Sequence, residues 1–202
     1  MAVNEKDIDE AVEVLKKGGI VVYPTETCYG IGCDATNEEA VERVYKAKKR
    51  SKEKKLTCIV DSLETAEKYC HLSEIEKEIC NKFMPGPLTI VAEKKDSLPD
   101  LVNKDFAFRV SSENYCQKLS EKLGKPLIAT SANISGNSSS YSTDDISEKL
   151  LEKVDFVLDG GELERKKPST IITIEQRDIV VHREGPVKKK DIHEEIEVDK
   201  YG

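Results

Sequence analysis

Short apolar runs alternate with segments of helical periodicity along most of this chain, and the alternation limits the folds that it can adopt. Apolar residues recur at helical spacing in several segments: 7–17, the stretch that follows Thr36, 62–70, 74–83 and 113–123. Runs rich in β-branched and aromatic residues lie between them: 19–23, 56–60, 88–92, 106–110, 127–130, 154–158, 170–174 and 178–182. This order predicts an α/β (α+β) fold with three layers, in which helices flank a twisted, mixed β-sheet. The last two runs are close enough in sequence to pair antiparallel.

The composition fits one domain with a single core. Of the 202 residues, 38% are hydrophobic and 35% are charged. We expect the domain to span 1–187 and the charged segment 188–202 to be an only partly ordered tail.

No apolar run is long enough to cross a bilayer and the first residues, MAVNEKD, lack a secretory signal, so we expect a cytoplasmic protein. Six scattered cysteines without C-x-x-C, and three histidines without ligand spacing, predict no metal site.

The stretch from Ile20 to Asp34, IVVYPTETCYGIGCD, places polar side chains at the end of a predicted strand. Pro24 ends the strand because it lacks a backbone donor. Thr25 and the residues after it supply hydroxyls, and open α/β sheets bind ligands in the crevice beyond such strand ends. An ordinary polar connection with turn glycines has the same composition, so this loop needs support from elsewhere in the chain.

Positive charge is concentrated in one segment of an otherwise acidic protein. The net charge is −7, yet the segment KAKKRSKEKK at 46–55 holds seven basic residues and one acidic residue. Such a concentration favours the binding of an anion, and Lys48 and Arg50 are the candidates because Arg recognises phosphate bidentately and Lys acts as a mobile point charge. The alternative is an ordinary solvated helix end, where basic residues also interact favourably with the helix dipole.

A third polar element follows the strand that ends at Thr130. The sequence SANISGNSSSYSTDD is too long for a simple connector, and such loops in compact domains are usually functional or mobile. Ser131 and Asn133 supply neutral donors and acceptors there. The three elements each follow or flank a predicted strand, so they could line one crevice that binds a polyanion beside a small polar molecule.

Gly30 to Ala35 match G-x-G-x-x-A formally, but the following helix begins too late for a dinucleotide fingerprint.

At this point the sequence closely resembles the threonylcarbamoyl-AMP synthase family of YrdC-like proteins. The motifs that carry the resemblance span nearly the whole chain in order: YPTETCYGIGCDA at 23–35, KAKKRSKEKKLTCIV at 46–60, PGPLTIV at 85–91, FRV at 108–110, TSANISG at 130–136, PSTII at 168–172 and HREG at 182–185. Single motifs of this kind would be weak, but seven in sequence are specific. The resemblance implies that 1–187 is a YrdC-like catalytic domain.

The resemblance also implies an activity and a set of site residues. The family forms threonylcarbamoyl-AMP and pyrophosphate from L-threonine, bicarbonate and ATP, and a separate enzyme then uses the product to modify an adenosine next to the anticodon of tRNA. By position, the K-x-R and S-x-N motifs that contact nucleotide and threonine correspond to Lys48, Arg50, Ser131 and Asn133. Further positions correspond to threonine binding at Thr25, the substrate carboxylate at Arg109, and the nucleotide at Ser169 and Arg183.

The chain departs from the family pattern at several positions. These are Lys49 and Ser51, where K-G-R-P is common; Lys55, where a proline is often found; Cys58, Ile59 and Val60, where some members have a histidine; and Asp105, where some have a hydroxyl residue. The departures affect nucleotide contacts more than the reaction class.

The resemblance leads to a mechanism that depends on charge. Carboxylated threonine attacks the α-phosphorus of ATP, and Lys48 and Arg50 are the expected catalytic groups that neutralise charge on the phosphates, together with Mg²⁺. The alternative is a non-catalytic RNA- or nucleotide-binding module that uses the same basic face but gives no role to Thr25 or Arg109. RNA binding of that kind weakens steeply with salt.

Overall fold

The computed structural model of the protein describes residues 3–54, 56–100, 102, 104–176 and 178–196. The helices are α1 (Glu5–Lys16), α2 (Glu38–Lys48), α3 (Leu63–Glu67), α4 (Glu74–Phe83), α5 (Asn114–Leu123), α6 (Glu148–Leu151) and α7 (Lys189–Glu195). The strands are β1 (Val21–Pro24), β2 (Tyr29–Gly32), β3 (Cys58–Val60), β4 (Cys70–His71), β5 (Leu88–Lys94), β6 (Asp105–Val110), β7 (Leu127–Ile128), β8 (Thr130–Ser131), β9 (Phe156–Val157), β10 (Thr170–Glu175) and β11 (Asp178–Arg183).

The described strands form two mixed sheets with flanking helices, which confirms the predicted fold class but divides the expected single sheet. The smaller sheet has the order β8-β2-β1-β9, and the larger has the order β11-β10-β5-β6-β3-β7 with β4 paired to β5. The predicted antiparallel pairing of the last two strands, β10 and β11, is confirmed. No helix in the described ranges is both long and apolar enough to cross a membrane.

Side-chain caps explain where three of the helices begin. At α1 the Asn4 side chain accepts from the Asp7 amide, and the Asp7 carboxylate accepts from the Asn4 amide, each at 3.1 Å. A capping box of the same kind is present at Ser73 of α4. At α2 the cap is Asn37, whose side chain accepts from the Ala40 amide, and the neighbouring Thr36 hydroxyl donates to Asp34.

The loop expected to begin at Thr25 and to be closed by Gly30 and Gly32 is wrong over its second half, since Tyr29–Gly32 is a strand. It pairs antiparallel with β1, which leaves 25–28 as the connection of a hairpin. Gly32 is required there because a Cβ at this position would lie 1.6 Å from the backbone oxygen of Ile128. The two sheets therefore approach each other closely beside this hairpin.

Two hydrophobic clusters hold the sheets and helices together. In one, Leu15 of α1 and Leu119 of α5 pack against Val21 of β1 and Ile59 of β3, so that both sheets contribute. The other cluster contains most of the remaining buried side chains, among them Ile192 and Ile196. Part of the segment expected as a tail is thus a helix, α7, whose apolar residues enter the core; the division at 187 stays a prediction.

Candidate active site

A cavity of about 610 Å³ is lined by residues of both sheets, and this volume is typical of small-molecule sites. Six of the eight predicted site residues line it: Thr25, Arg50, Arg109, Ser131, Ser169 and Arg183. Lys48 and Asn133 do not belong to its lining. The structure therefore brings together residues from six separate motifs, and it separates Lys48 from Arg50 although they are two positions apart.

The floor of the cavity is one face of the larger sheet, and its charge changes sign along the strands. Because alternate residues of a strand share a face, Arg109, Ala107 and Asp105 of β6 line the cavity in that order. Val91 of β5 pairs with Ala107 in the middle of the floor. The lining residues of β10 likewise run from apolar to acidic: Ile171, Thr173 and Glu175. The floor is cationic at one end, apolar in the middle and acidic at the other end.

Arg109, at the cationic end, is held by a buried carboxylate. Its Nε donates to Oε1 of Glu26 at 2.7 Å, and the Ser111 hydroxyl donates to the other carboxylate oxygen. Burial by itself would raise the pKa of Glu26, but the charge of Arg109 and the hydroxyl of Ser111 outweigh it and hold the pKa below 4.5. Glu26 is therefore ionised at neutral pH and forms a buried ion pair with Arg109.

Arg183 approaches the same end of the cavity from β11. Its Nε donates to the backbone oxygen of Ser169 at 2.9 Å, and its Nη2 donates to the Ser169 hydroxyl at 3.0 Å. That hydroxyl is also 2.9 Å from the hydroxyl of Thr89. Burial and the charge of Arg109 lower the pKa of Arg183, so an anion bound between the two guanidinium groups would relieve an unfavourable arrangement of charge.

Lys48 braces the loop after β8. Its side chain is 1% exposed, and its ammonium donates to the backbone oxygen of Ser131 and to the Asn133 backbone and side-chain oxygens, at 2.8 and 3.0 Å for the latter two. Burial and the charge of Arg50 lower the pKa of Lys48 to about 7. Asn133 also accepts from the Ser131 hydroxyl at 2.7 Å. The catalytic role of Lys48 stays a prediction, and its visible contacts hold Ser131 in place.

The backbone at Lys49 explains why Lys48 and Arg50 face different ways. Lys49 follows the last residue of α2 and adopts φ 50°, ψ 40°, in the left-handed region. The chain reverses its course there, and Arg50 lines the cavity while Lys48 does not. Glycine, the residue expected here from the family resemblance, adopts this conformation without steric cost. Lys55, another of the expected departures, lies outside the described residues.

Thr25 organises the connection between β1 and β2. Its hydroxyl accepts from the amides of Thr27 and Cys28, each at 3.2 Å, and donates to the Cys28 backbone oxygen at 2.7 Å. A threonine hydroxyl that bonds to the backbone two and three residues ahead stabilises a turn. Thr25 therefore shapes the rim of the cavity as well as lining it.

Several polar residues of the cavity were not predicted from the sequence. They are Glu26, which acts on Arg109, and the lining residues Thr57, Ser139, Thr173, Glu175 and His182. In β10 the lining residues Ile171 and Thr173 alternate with the buried Thr170 and Ile172, and this period of two is the signal that one face of the strand points into a polar space. His182 contacts the Thr173 hydroxyl at 2.9 Å across the β10–β11 pair. Ser139 is in a loop whose path the sequence pattern does not specify.

Two mixed sheets enclose a cavity that is lined by Arg50, Arg109 and Arg183, and this defines a class of α/β protein whose cavity suits an anionic small molecule. The comparisons give the family. Residues 13–185 match the Sua5/YciO/YrdC family model, which carries the description "Telomere recombination". The chain belongs to this family.

Similar proteins agree in sequence and in fold. The chain is 43% identical over 193 residues to a putative threonylcarbamoyl-AMP synthase of Methanocaldococcus jannaschii, and the match covers 92% of each chain. The crystal structure of Pyrococcus abyssi Sua5 complexed with L-threonine is 32% identical with a TM-score of 0.90, and the match covers 97% of this chain but 59% of that one. Escherichia coli YciO is 28% identical with a TM-score of 0.84, and the match covers 94% of each chain.

Proposed function

We propose that this protein is an L-threonylcarbamoyladenylate synthase, which forms threonylcarbamoyl-AMP and pyrophosphate from L-threonine, bicarbonate and ATP. The observation that carries the proposal is the convergence of Arg50, Arg109 and Arg183 on one cavity. The likeness to threonylcarbamoyl-AMP synthases over most of the chain supports the same conclusion. One cavity then has to hold a triphosphate and an amino acid together.

The reaction joins two steps in that cavity. The threonine amine attacks bicarbonate, which gives a carbamate and releases water. A carbamate oxygen then attacks the α-phosphorus of ATP, the bond to the β-phosphate oxygen breaks, and pyrophosphate leaves. In nucleotidyl transfer of this kind a protein contributes mainly by positioning its substrates and by electrostatic stabilisation of the charge that develops.

The residues divide between these tasks by the contacts that hold them. Arg109, paired with a carboxylate and set at the end of the floor, suits the carboxylate of threonine, and Thr25 borders the same end. Arg50 and Arg183 suit the phosphates, with Ser169 holding Arg183 by two hydrogen bonds. Ser131 lines the neighbouring wall, and Asn133, which accepts from its hydroxyl, and Lys48 keep it in position.

Mg²⁺ fits this site as part of the substrate. Among the described residues no group of three or more His, Cys, Asp or Glu side chains could hold a metal ion. Mg²⁺ usually binds through one or two carboxylates together with the phosphates of the substrate. Asp105 and Glu175 are carboxylates that line the cavity and could meet an ion carried in by ATP. The ion would supply charge neutralisation at the phosphates.

The product serves tRNA modification. We propose that a separate transferase in the cytoplasm passes the threonylcarbamoyl group to the adenosine next to the anticodon, and that the tRNA reaches this protein through that partner.

The test is to incubate the protein with ATP, Mg²⁺, bicarbonate and L-threonine and to measure pyrophosphate together with the adenylate product. Omitting threonine should abolish both signals. Pyrophosphate release that persists without threonine would indicate plain ATP hydrolysis and would contradict the proposal. A nucleotide- or RNA-binding module would bind its ligand, with a steep salt dependence for RNA, and release no pyrophosphate.

A further inference from the structure

We propose that Glu26 is a positioning residue, which fixes the Arg109 guanidinium so that the site selects a ligand with a free carboxylate. The inference rests on the proposed function, because it takes Arg109 as the group that receives the carboxylate of threonine. Glu26 does not belong to the lining of the cavity and would act through Arg109.

The contacts of Glu26 leave its carboxylate little freedom to rotate. Oε1 accepts from Nε of Arg109 at 2.7 Å, and Oε2 accepts from the Ser111 hydroxyl. That hydroxyl is itself held, because it accepts from the Glu113 amide at 3.1 Å. Both carboxylate oxygens therefore have fixed partners on or next to β6, and the planar guanidinium is held in one orientation.

The orientation leaves the terminal nitrogens of Arg109 available to a ligand. Nε is occupied by Glu26, and within the described residues Nη1 and Nη2 have no hydrogen-bond partner although the residue is only 5% exposed. Arg109 lines the cavity. A carboxylate ligand can accept from such nitrogens by charge-assisted hydrogen bonds, which are shorter and stronger than those to a neutral amide.

The pair also joins the two sheets that form the cavity. Glu26 lies in the connection between β1 and β2 of the smaller sheet, and Arg109 lies in β6 of the larger one. The negative charge of Glu26 offsets a guanidinium that is buried close enough to Arg183 to lower its pKa. With a neutral residue at position 26, Arg109 would be a buried charge without compensation and would turn towards solvent or another acceptor.

The experiment compares L-threonine with L-threoninamide, in which the carboxylate is replaced by a neutral amide. Calorimetry gives the affinity of the whole protein for each compound, and the pyrophosphate assay gives KM and kcat for threonine. In Glu26→Gln we expect the affinity for threonine to fall about 10- to 100-fold and the KM for threonine to rise by the same factor, because a hydrogen bond to a charged group contributes about this much to binding. The affinity for threoninamide should be unchanged, and kcat should stay within about threefold of the wild-type value. Glu5→Gln, which removes an exposed ion-paired carboxylate on α1, is the matched control and should change neither affinity.

A double-substitution cycle shows whether Glu26 acts through Arg109. In the background of Arg109→Met, Glu26→Gln should have little further effect on threonine affinity, because the group that it positions is absent. An equal loss in both backgrounds would overturn the proposal, as would a Glu26→Gln protein that keeps the preference for threonine or loses both compounds equally.

Ser111→Ala covers the case in which Glu26→Gln does not fold. It removes one hydroxyl from the carboxylate and should weaken threonine binding about three- to tenfold without affecting threoninamide; unchanged binding would count against the proposal. A wild-type protein that prefers threonine but forms no adenylate would refute the synthase function and leave the role of Glu26 intact. A wild type that does not distinguish the two compounds would refute the role of Glu26.

Discussion

Replacing Lys48 by methionine should lower the free energy of unfolding by about 2–4 kcal/mol. The ammonium donates to three oxygens, those of the Ser131 backbone and of the Asn133 backbone and side chain. At about 1–1.5 kcal/mol each, these bonds add up to roughly 3–4.5 kcal/mol. Part of this is offset because methionine avoids the cost of burying a charge, a cost that is visible in the lowering of the Lys48 pKa to about 7. Methionine also keeps most of the packing of the side chain.

Thermal unfolding measures this effect, with Lys46→Met as the matched control. For a chain of this size 1 kcal/mol shifts Tm by about 2–4 °C, so Lys48→Met should melt roughly 4–16 °C below wild type. Lys46 lies on the same helix with a 72% exposed side chain that pairs with Glu42, and its replacement should cost less than about 1 kcal/mol. A Lys48→Met protein that melts with wild type but has lost synthase activity would refute the bracing role and indicate direct contact with the ligand.

Three further outcomes can be checked. Arg50→Ala should lower synthase turnover about 10²–10³-fold with an unchanged melting temperature, and near-wild-type pyrophosphate release would remove this residue from the mechanism. Lys49→Gly should raise the free energy of unfolding, measured by urea denaturation, by about 0.5–1 kcal/mol, since glycine adopts the observed φ of 50° without strain. A lower free energy of unfolding in this variant would mean that the lysine side chain stabilises the fold by more than the backbone strain costs. Burial would raise the pKa of Glu26, but Arg109 and Ser111 hold the pKa below 4.5 in the folded protein. The ionised carboxylate therefore stabilises the fold above about pH 4.5. This contribution to stability is lost as the pH falls through the lower pKa of the folded state. The urea midpoint of Glu26→Gln should therefore fall less steeply than that of wild type between pH 5 and 3, and parallel curves would contradict the assigned pair.

The order of helices and strands could be predicted from the sequence because hydrophobic periodicity is a local signal. The prediction failed where long-range packing determined the local structure. The sequence predicts that Gly30 and Gly32 are turn glycines, since glycine is unfavourable in a strand interior. Gly32 is instead in a strand because the backbone at Ile128 approaches it too closely for any side chain. A glycine chosen for close approach and one chosen for a turn look the same in a sequence.

The segment after 187 shows the opposite limit. Its charged residues suggested a tail, yet Ile192 and Ile196 are four positions apart and bury against the core on one face of α7. Two apolar residues at helical spacing are too few to distinguish an amphipathic helix from a solvated segment. The segment forms a packed helix only if the rest of the fold leaves an apolar surface uncovered. That surface cannot be identified until the fold is known.

The candidate site shows which part of a function a sequence specifies. The types of residue were predicted, since phosphate and carboxylate require cations and hydroxyls, and most of the predicted residues do line one cavity. The directions in which the side chains of these residues point were not predicted. Lys48 and Arg50 formed one cationic strip in the sequence, but the left-handed backbone at Lys49 separates them, and Lys48 turns to the oxygens around Asn133. Glu26 could not be predicted from the sequence, because an acid in a site for anions is unfavourable unless a partner such as Arg109 offsets its charge. A buried guanidinium needs a carboxylate partner, so the negative charge of Glu26 is explained by the burial of Arg109. The positive charges of the site are explained by the anionic ligand.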